Sequence, residues 1–463
     1  MKVLLVYPPF QVGSGMSQVM RSPPLSLLQL AAVIPAHHVE ILDLNVNPHM
    51  SIADIEKKIS KFDLVGITCM TNMLKVTLNL CKIAKKYNVT TVVGGFHPTL
   101  NPDMIKEPNV DYIVRGEGEF TFKELVNGLD PREIMGLSYK ENNGNNGNNG
   151  GFHHNEPRAF IQNLDILPYP RKDLVNYSPY HYLWVPADVV ETSRGCPFDC
   201  SFCCVTKFYC RTWRKKSPIR VIKELMLVPR TQKLVFFVDD NFTLDHKRVK
   251  RICHLIRQYG INKRLFFVCQ TRVDDIAKDP EMVREMARSG FICFFIGFES
   301  FKQMSLNNMN KKISLKQAKK AVEVCHKNGI MVFGSFIVGN IGETREDTLK
   351  TFKLMKELKI DFMMTNPLTP FPGTQLGDDA VKNGWIDKDF DWKNWQFRAI
   401  INTPDLSADE IQDLCEYSLK YFYKDLKYFL FGKSSLKMYK SPLFIRILPG
   451  FLLKGLKNFL IKV

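Results

Sequence analysis

Apolar runs of five or six residues punctuate the first 130 residues, and between them apolar positions return every three or four. The first pattern predicts buried strands near 2–7, 38–43, 63–68, 90–94 and 111–115. The second predicts amphipathic helices near 24–34, 51–61, 73–87 and 119–128, with a shorter one near 101–107. Five strands alternating with helices imply a parallel, doubly wound α/β sheet over residues 1–135, a Rossmann-like domain whose ligands sit beyond the carboxyl ends of its strands.

From residue 186 the period lengthens. Strands are predicted at 188–193, 233–239, 264–270, 291–299, 331–338 and 361–368, with helices between them near 217–228, 245–259, 280–289, 314–328 and 343–358. Six consecutive βα units point to a partial (β/α)6 barrel over 186–385, with functional residues at the strand ends. A connecting segment, 136–185, holds the Asn/Gly repeat 142–151, expected to be a mobile loop, either a long hairpin tip or a linker. A helical region is expected over 386–463. There Ser407-Ala408-Asp409-Glu410 reads as a capping box opening a helix through about Phe431. Beyond Pro449-Gly450 a last helix would gather Leu452, Leu453, Leu456, Phe459 and Leu460 on one face and Lys454, Lys457, Asn458 and Lys462 opposite, with Ile461 the exception.

Composition narrows the class. With 463 residues, 45% hydrophobic and 24% charged, the chain is expected to be a soluble protein of two or three domains. It contains no apolar stretch of the roughly 18 residues a membrane span needs. The N-terminus runs straight into the strand-like Lys2-Val3-Leu4-Leu5-Val6, so no signal peptide is expected and the cytoplasm is the expected compartment. The net charge of +17 is uneven: from Lys420 onward there are nine Lys and Arg446 against Asp425 alone. More than half the excess therefore lies in the last tenth of the chain, which suits a tail on an anionic surface, such as the inner face of a membrane. Packing of that tail on the barrel or on a partner is the alternative.

Most of the twelve cysteines, such as Cys69, Cys81, Cys269, Cys293 and Cys325, are isolated in apolar runs and read as buried hydrophobes. Cys196, Cys200 and Cys203 differ, standing as Cys-x3-Cys-x2-Cys directly after the first barrel strand. Three soft thiolates in one loop select zinc, cuprous copper or an iron–sulfur cluster. Zinc would need a fourth ligand, from Cys204 or Cys210, whereas a cubane on three thiolates leaves one iron open. With Phe202 before the third cysteine, the motif resembles the signature of the radical S-adenosylmethionine (SAM) superfamily. The resemblance implies a [4Fe–4S] cluster that chelates and cleaves SAM to a 5′-deoxyadenosyl radical. Asp239, Asp240 and Asn241 after the second strand put polar groups at the barrel mouth; Arg272 follows the third and Glu299 ends the fourth. Taken singly, such residues are as readily turn or helix caps. By resemblance all belong to the SAM site, with Glu299 and Arg272 fixing the ribose and the methionine carboxylate and Gly339 and Gly342 letting backbone approach the adenine.

Three loops at strand ends of the first domain carry Thr68 and Thr71, Gly94-Gly95-Phe96-His97-Pro98-Thr99, and Arg115-Gly116-Glu117-Gly118-Glu119. Tight turns without a ligand would account for the glycines alone. Together with Tyr7-Pro8-Pro9, Asn163-Leu164-Asp165-Ile166-Leu167-Pro168-Tyr169-Pro170 and the cysteine motif, these segments resemble the cobalamin-dependent radical SAM family over residues 1–375. That family includes anaerobic magnesium-protoporphyrin cyclase-like enzymes and class B methyltransferases. The resemblance implies cobalamin near Thr68, Thr71, Gly94, Gly95, His97, Gly116, Glu117 and Gly118. An Asp-x-His-x-x-Gly motif, which supplies a lower cobalt ligand elsewhere, does not occur, so His97 is read as a loop residue near the corrin. The expected activity is methylation of an unactivated carbon in a lipid-like or tetrapyrrole substrate, with an electron donor such as ferredoxin or flavodoxin. Cyclisation or oxidation of such a substrate is the alternative. A tRNA methylthiotransferase would carry a second three-cysteine cluster, whereas the first 190 residues hold only Cys69 and Cys81, and no nucleic-acid partner is expected. A non-catalytic cobalamin or redox sensor is the remaining class.

Overall fold

The computed structural model describes residues 1–9, 20–141, 151–182 and 185–423, which fall into two compact units. The first holds, of these, residues 1–9, 23–141, 151–179 and 390–397. Its sheet runs in the order His38–Asp43, Lys2–Tyr7, Leu64–Thr68, Thr90–Gly94, Tyr112–Val114, Leu137–Lys140, Phe152–His154. The first five strands are parallel and the last two antiparallel. The strand order reverses between Lys2–Tyr7 and Leu64–Thr68, a switch point of the kind that opens a ligand crevice. Both faces are covered, which explains the unbroken apolar runs: Val3 and Leu5 enter one core while Leu4 and Val6 enter the other.

The pairing of Lys140 with Phe152 decides between hairpin and linker in favour of the hairpin; residues 142–150 of the repeat lie outside the described residues. Two further features depart from the sequence pattern. Phe96–Leu100 is helical rather than loop, with Pro98 tolerated in its first turn. Residues 390–397, expected within a helical C-terminal region, return to this first unit. There Trp392 packs on the core cluster that includes Cys69 and Leu74, Lys393 Nζ lies 2.6 Å from Glu107 Oε1, and Lys75 Nζ donates to Asn394 Oδ1 at 3.0 Å.

The second unit carries six parallel strands in chain order: Val185–Val190, Leu234–Phe237, Phe266–Arg272, Phe291–Glu299, Met331–Val338 and Phe362–Pro367. They form an open partial barrel. His181–Tyr182 and Met20–Arg21 extend its first edge antiparallel. The buried rings of Phe237, Phe242, Phe267 and Phe291 pack against one another, stacked or tilted. Helices Pro218–Met226, His246–Gln258, Pro280–Arg288, Leu315–Lys327 and Arg345–Glu357 fall where the 3.6-residue period places them. Beside the other edge, helix Ala408–Tyr423 packs on Phe362–Pro367, with Thr365 and Ser418 hydroxyls 2.7 Å apart and Tyr423 donating to the Met363 carbonyl at 2.7 Å. Ser407 and Glu410 close the predicted capping box on this helix. Its expected continuation to Phe431 and the basic terminal helix lie outside the described residues. Among the described residues no helix is long and apolar enough to cross a membrane.

Candidate functional site

The cysteine loop leaves the first barrel strand through a two-residue ladder, Ser193–Arg194 against Arg214–Lys215, which closes residues 195–213 into one excursion. Gly195 starts it at φ +83°, where a Cβ would stand 2.3 Å from the Thr212 carbonyl, so only glycine fits. The buried Asp239 carboxylate anchors the loop's entry, accepting from the Thr192 amide at 3.0 Å and hydroxyl at 2.6 Å and from the Ser193 hydroxyl. Asp240 accepts from the Gly195 amide at 3.1 Å; burial pushes its carboxyl up to about 7. Farther along, the Ser201 amide donates to Met309 carbonyl at 3.1 Å and the Ser201 carbonyl accepts from Leu376 at 3.0 Å.

Cys200 is buried, Cys196 and Cys203 are half-buried, and all twelve cysteines are free thiols. Burial pushes the Cys196 thiol up to about 11 and raises Cys203 as well, so loading a metal there must displace protons. Cys204, pushed up to about 12, behaves as a buried thiol, while Cys210 is exposed. Among the described residues no group of three or more His, Cys, Asp or Glu side chains is poised on one metal ion. A cubane asks for a wider arrangement, one thiolate on each of three irons. A closed loop with three free thiols and soft donors fits that group.

Arg272, at the end of Phe266–Arg272, reaches this loop. Its guanidinium lies 3.6 Å over the Phe198 ring, Nη1 is 4.0 Å from Cys200 Sγ, Nε donates to Asp274 at 2.9 Å and Nη2 to the Lys311 carbonyl at 2.8 Å. Glu299 ends its strand at φ +62°, an unusual conformation for a non-glycine residue that costs about 1–3 kcal/mol and persists where surroundings impose it. Here they do: Lys311 Nζ donates to Glu299 Oε1 at 2.7 Å, and a Cβ on Gly297 would stand 2.4 Å from that oxygen. The structure thus gathers Cys200, Arg272 and, through Lys311, Glu299. Lys311 has no sequence signal beyond a charge in a loop.

Other predicted residues are placed differently. Asn241 is buried in a polar knot, donating to Asp275 at 2.9 Å and accepting from Thr243 at 3.1 Å. Gly339, at φ +87°, makes room for Ile411, whose Cδ1 would be 2.5 Å from a Cβ there; Gly342, at φ +79°, faces Met304. Between them Asn340 donates to Glu343 at 3.1 Å and its Oδ1 is buried with no partner among the described residues.

In the first unit the candidate loops interlock at the carboxyl edge of the sheet. Gly95 at φ +109° packs against Thr68 and Cys69: a Cβ would lie 2.9 Å from the Cys69 carbonyl. The Cys69 amide donates to Gly94 at 2.8 Å and the His97 amide to Cys69 at 3.1 Å. His97 Nδ1 is 3.2 Å from Thr71 Oγ1, and burial pushes the imidazole down to about 4, so it is neutral at pH 7. Thr99 Oγ1 links Gly95 to the Gly116 amide, at 2.7 and 3.0 Å. Gly116, at φ +71°, has nothing among the described residues within 4 Å of a Cβ, so its backbone is bare on that side among them. Glu117 turns away, accepting from the Ile161 amide at 2.7 Å, and Gly118 opens helix Gly118–Val126. Gly116 beside the fastened loop Gly94–Thr99 fits cobalamin held at this carboxyl edge.

Comparison with known proteins agrees. The Radical SAM superfamily model matches residues 190–355 and the B12 binding domain model residues 19–126. The chain is 36% identical over 438 residues to an uncharacterized methyltransferase of Pyrococcus horikoshii, covering 91% of this chain and 92% of that protein. It is 30% identical over 431 residues to the anaerobic magnesium-protoporphyrin IX monomethyl ester cyclase of Rubrivivax gelatinosus, covering 88% and 74%. The solved radical S-adenosylmethionine methyltransferase TsrM of Kitasatospora setae shares the fold, with a TM-score of 0.69 at 19% identity over 82% of this chain and 76% of that one. The chain belongs to the cobalamin-dependent radical SAM enzymes, with a [4Fe–4S] cluster, SAM and cobalamin as its cofactors.

Proposed function

We propose that this enzyme transfers a methyl group to an unactivated carbon of a lipid-like or tetrapyrrole substrate. The observation that carries the reading is the 36% identity, across nine-tenths of both chains, to a protein named a methyltransferase. When bound, the cluster and SAM supply a 5′-deoxyadenosyl radical and cobalamin supplies the methyl group. The chain supplies position. Cys196, Cys200 and Cys203 would hold three irons and leave the fourth for SAM; Glu299, fixed by Lys311, is the residue proposed for the ribose. Asp240 keeps the loop's first residue in place through the Gly195 amide. Thr68, Thr71, Gly94, Gly95, His97 and Gly116 shape the proposed corrin edge. A one-electron donor of the ferredoxin or flavodoxin kind would reduce the cluster.

The relative named as a magnesium-protoporphyrin cyclase favours a second reading, ring closure or oxidation on a tetrapyrrole. One experiment separates them. The anaerobically reconstituted enzyme is given reductant, SAM with a deuterated methyl group, and lipid or tetrapyrrole extracts from cells lacking the gene. Methylation predicts 5′-deoxyadenosine together with label in a product, and neither from Cys200→Ala. 5′-Deoxyadenosine without label transfer supports the cyclase, and its absence supports a non-catalytic sensor. The basic, amphipathic pattern of the terminal residues supports docking on an anionic bilayer, which deletion of residues 436–463 should abolish; unchanged liposome co-sedimentation refutes that docking.

A further inference from the structure

Arg272 stands at a strand end where a substrate contact is expected, yet its guanidinium is engaged on three sides. Asp274, the Lys311 carbonyl and the Phe198 ring hold it, at 2.9, 2.8 and 3.6 Å. The nitrogen that remains, Nη1, points to Cys200 Sγ at 4.0 Å, the outer reach of an N–H to sulfur contact. Arg272 and Cys200 are 6% and 8% exposed, so the contact is shielded from water. Lys311, equally buried, brings a second cation to the same place.

We propose that Arg272 is a positioning residue of the cluster, not a ligand of the SAM carboxylate: it donates toward the Cys200 thiolate and raises the potential at which the cluster accepts an electron. The proposal rests on the radical SAM reading of the cysteine loop. Reduction adds one electron and one negative charge, taken from an external one-electron donor of the ferredoxin or flavodoxin class, which is oxidised by the same electron. The added charge spreads over iron and sulfur. A buried, fixed guanidinium stabilises it more than the oxidised state, because charge-assisted hydrogen bonds strengthen with acceptor charge and the site is dry. Arginine suits this role because its planar fork is held by partners on its other edges and cannot lose its proton.

The test uses the full chain reconstituted with its cluster, without SAM, poised at stepped potentials and read by the electron paramagnetic resonance signal of the reduced cluster. Arg272→Gln should show an about tenfold lower ratio of reduced to oxidised cluster at a fixed potential, a midpoint ~59 mV lower for a one-electron couple. Arg272→Lys, which keeps the charge and loses the fork, should fall between. Phe198→Leu removes the stack without altering any charge; it should shift the midpoint in the same direction by less, and it carries the test if Arg272→Gln does not hold a cluster. Midpoints equal to that of the unaltered enzyme overturn the proposal. So does a shift that appears only after SAM is added, which would assign Arg272 to the SAM carboxylate. Absence of any cluster signal from the unaltered chain would instead overturn the radical SAM reading itself.

Discussion

Replacing Gly195 by alanine tests whether the loop ladder, rather than the cysteines alone, builds the cluster site. Two costs add. At φ +83° an alanine pays about 1–2 kcal/mol for the left-handed backbone. Its Cβ would also stand 2.3 Å from the Thr212 carbonyl and 3.0 Å from Tyr209 Cβ, and relieving such overpacking costs typically about 1–3 kcal/mol. The expected loss is therefore about 2–5 kcal/mol, concentrated where residues 195–213 close on themselves. Relief by backbone movement carries Cys196 with it, because the two residues are adjacent. Gly384→Ala is the control: φ is +68° but nothing among the described residues lies within 4 Å of its Cβ, so only the backbone cost of about 1–2 kcal/mol applies. Urea midpoints and iron bound per chain after anaerobic reconstitution read the two effects separately. Gly195→Ala should be the less stable and should bind much less iron, whereas Gly384→Ala should load fully. Equal stability and equal iron in the two variants would refute the role given to the ladder.

Gly116→Ala should cost the apoprotein only about 1–2 kcal/mol but weaken hydroxocobalamin binding, read by absorbance titration, whereas unchanged binding would place the corrin elsewhere. Gly95→Ala, whose Cβ meets the Cys69 carbonyl, should lose about 2–6 kcal/mol even without cobalamin. His97 binds its proton near pH 4 when folded and near 6.5 when unfolded, so the unfolded chain holds more protons between these values and stability falls as pH drops through them. The full effect is about 3 kcal/mol, and His97→Gln should flatten the slope of urea midpoints across that window. Gly339→Ala drives a Cβ into Ile411, so it should cost less in an Ile411→Ala background, where only the backbone part remains, than in the unaltered chain; equal drops in thermal midpoint in the two backgrounds would count against this.

Strand and helix positions were legible because the first sheet is buried on both faces, the barrel strands alternate buried and half-buried positions, and the helices carry one apolar face. Phe291–Glu299 and Met331–Val338 match the expected bounds, and the other barrel strands fall within three residues of theirs. The short edge elements were not. Met20–Arg21 joins a sheet whose other strands begin more than 150 residues later, and a two-residue strand has no period to read. The return of residues 390–397 to the first unit is likewise set by tertiary contacts, with Trp392 and Trp395 packed edge to face and Trp392 against that unit's core. An aromatic-rich run, Phe390-Asp391-Trp392-Lys393-Asn394-Trp395, was its one visible sign.

The site divides in the same physical way. Cysteine spacing is local, so the loop could be read; the positive φ of Gly95, Gly195 and Gly339 and the groups that exclude a side chain there, Cys69, Thr212 and Ile411, come only with the fold. What local pattern cannot distinguish is a strand-end acid that faces a ligand from one that braces the backbone. Asp239 and Asp240 are neighbours in sequence, yet the first ties Thr192 and Ser193 while the second holds Gly195. Asn241 turns to Asp275, and Glu117 to Ile161. Lys311 is the sharpest case. A lysine in a loop between two helices is ordinarily solvated, and this one is buried because Glu299 needs a counter-charge and Arg272 needs its carbonyl. The demand on Lys311 comes from two strands that precede it by 12 and 39 residues, so it exists only once the barrel has brought their ends together.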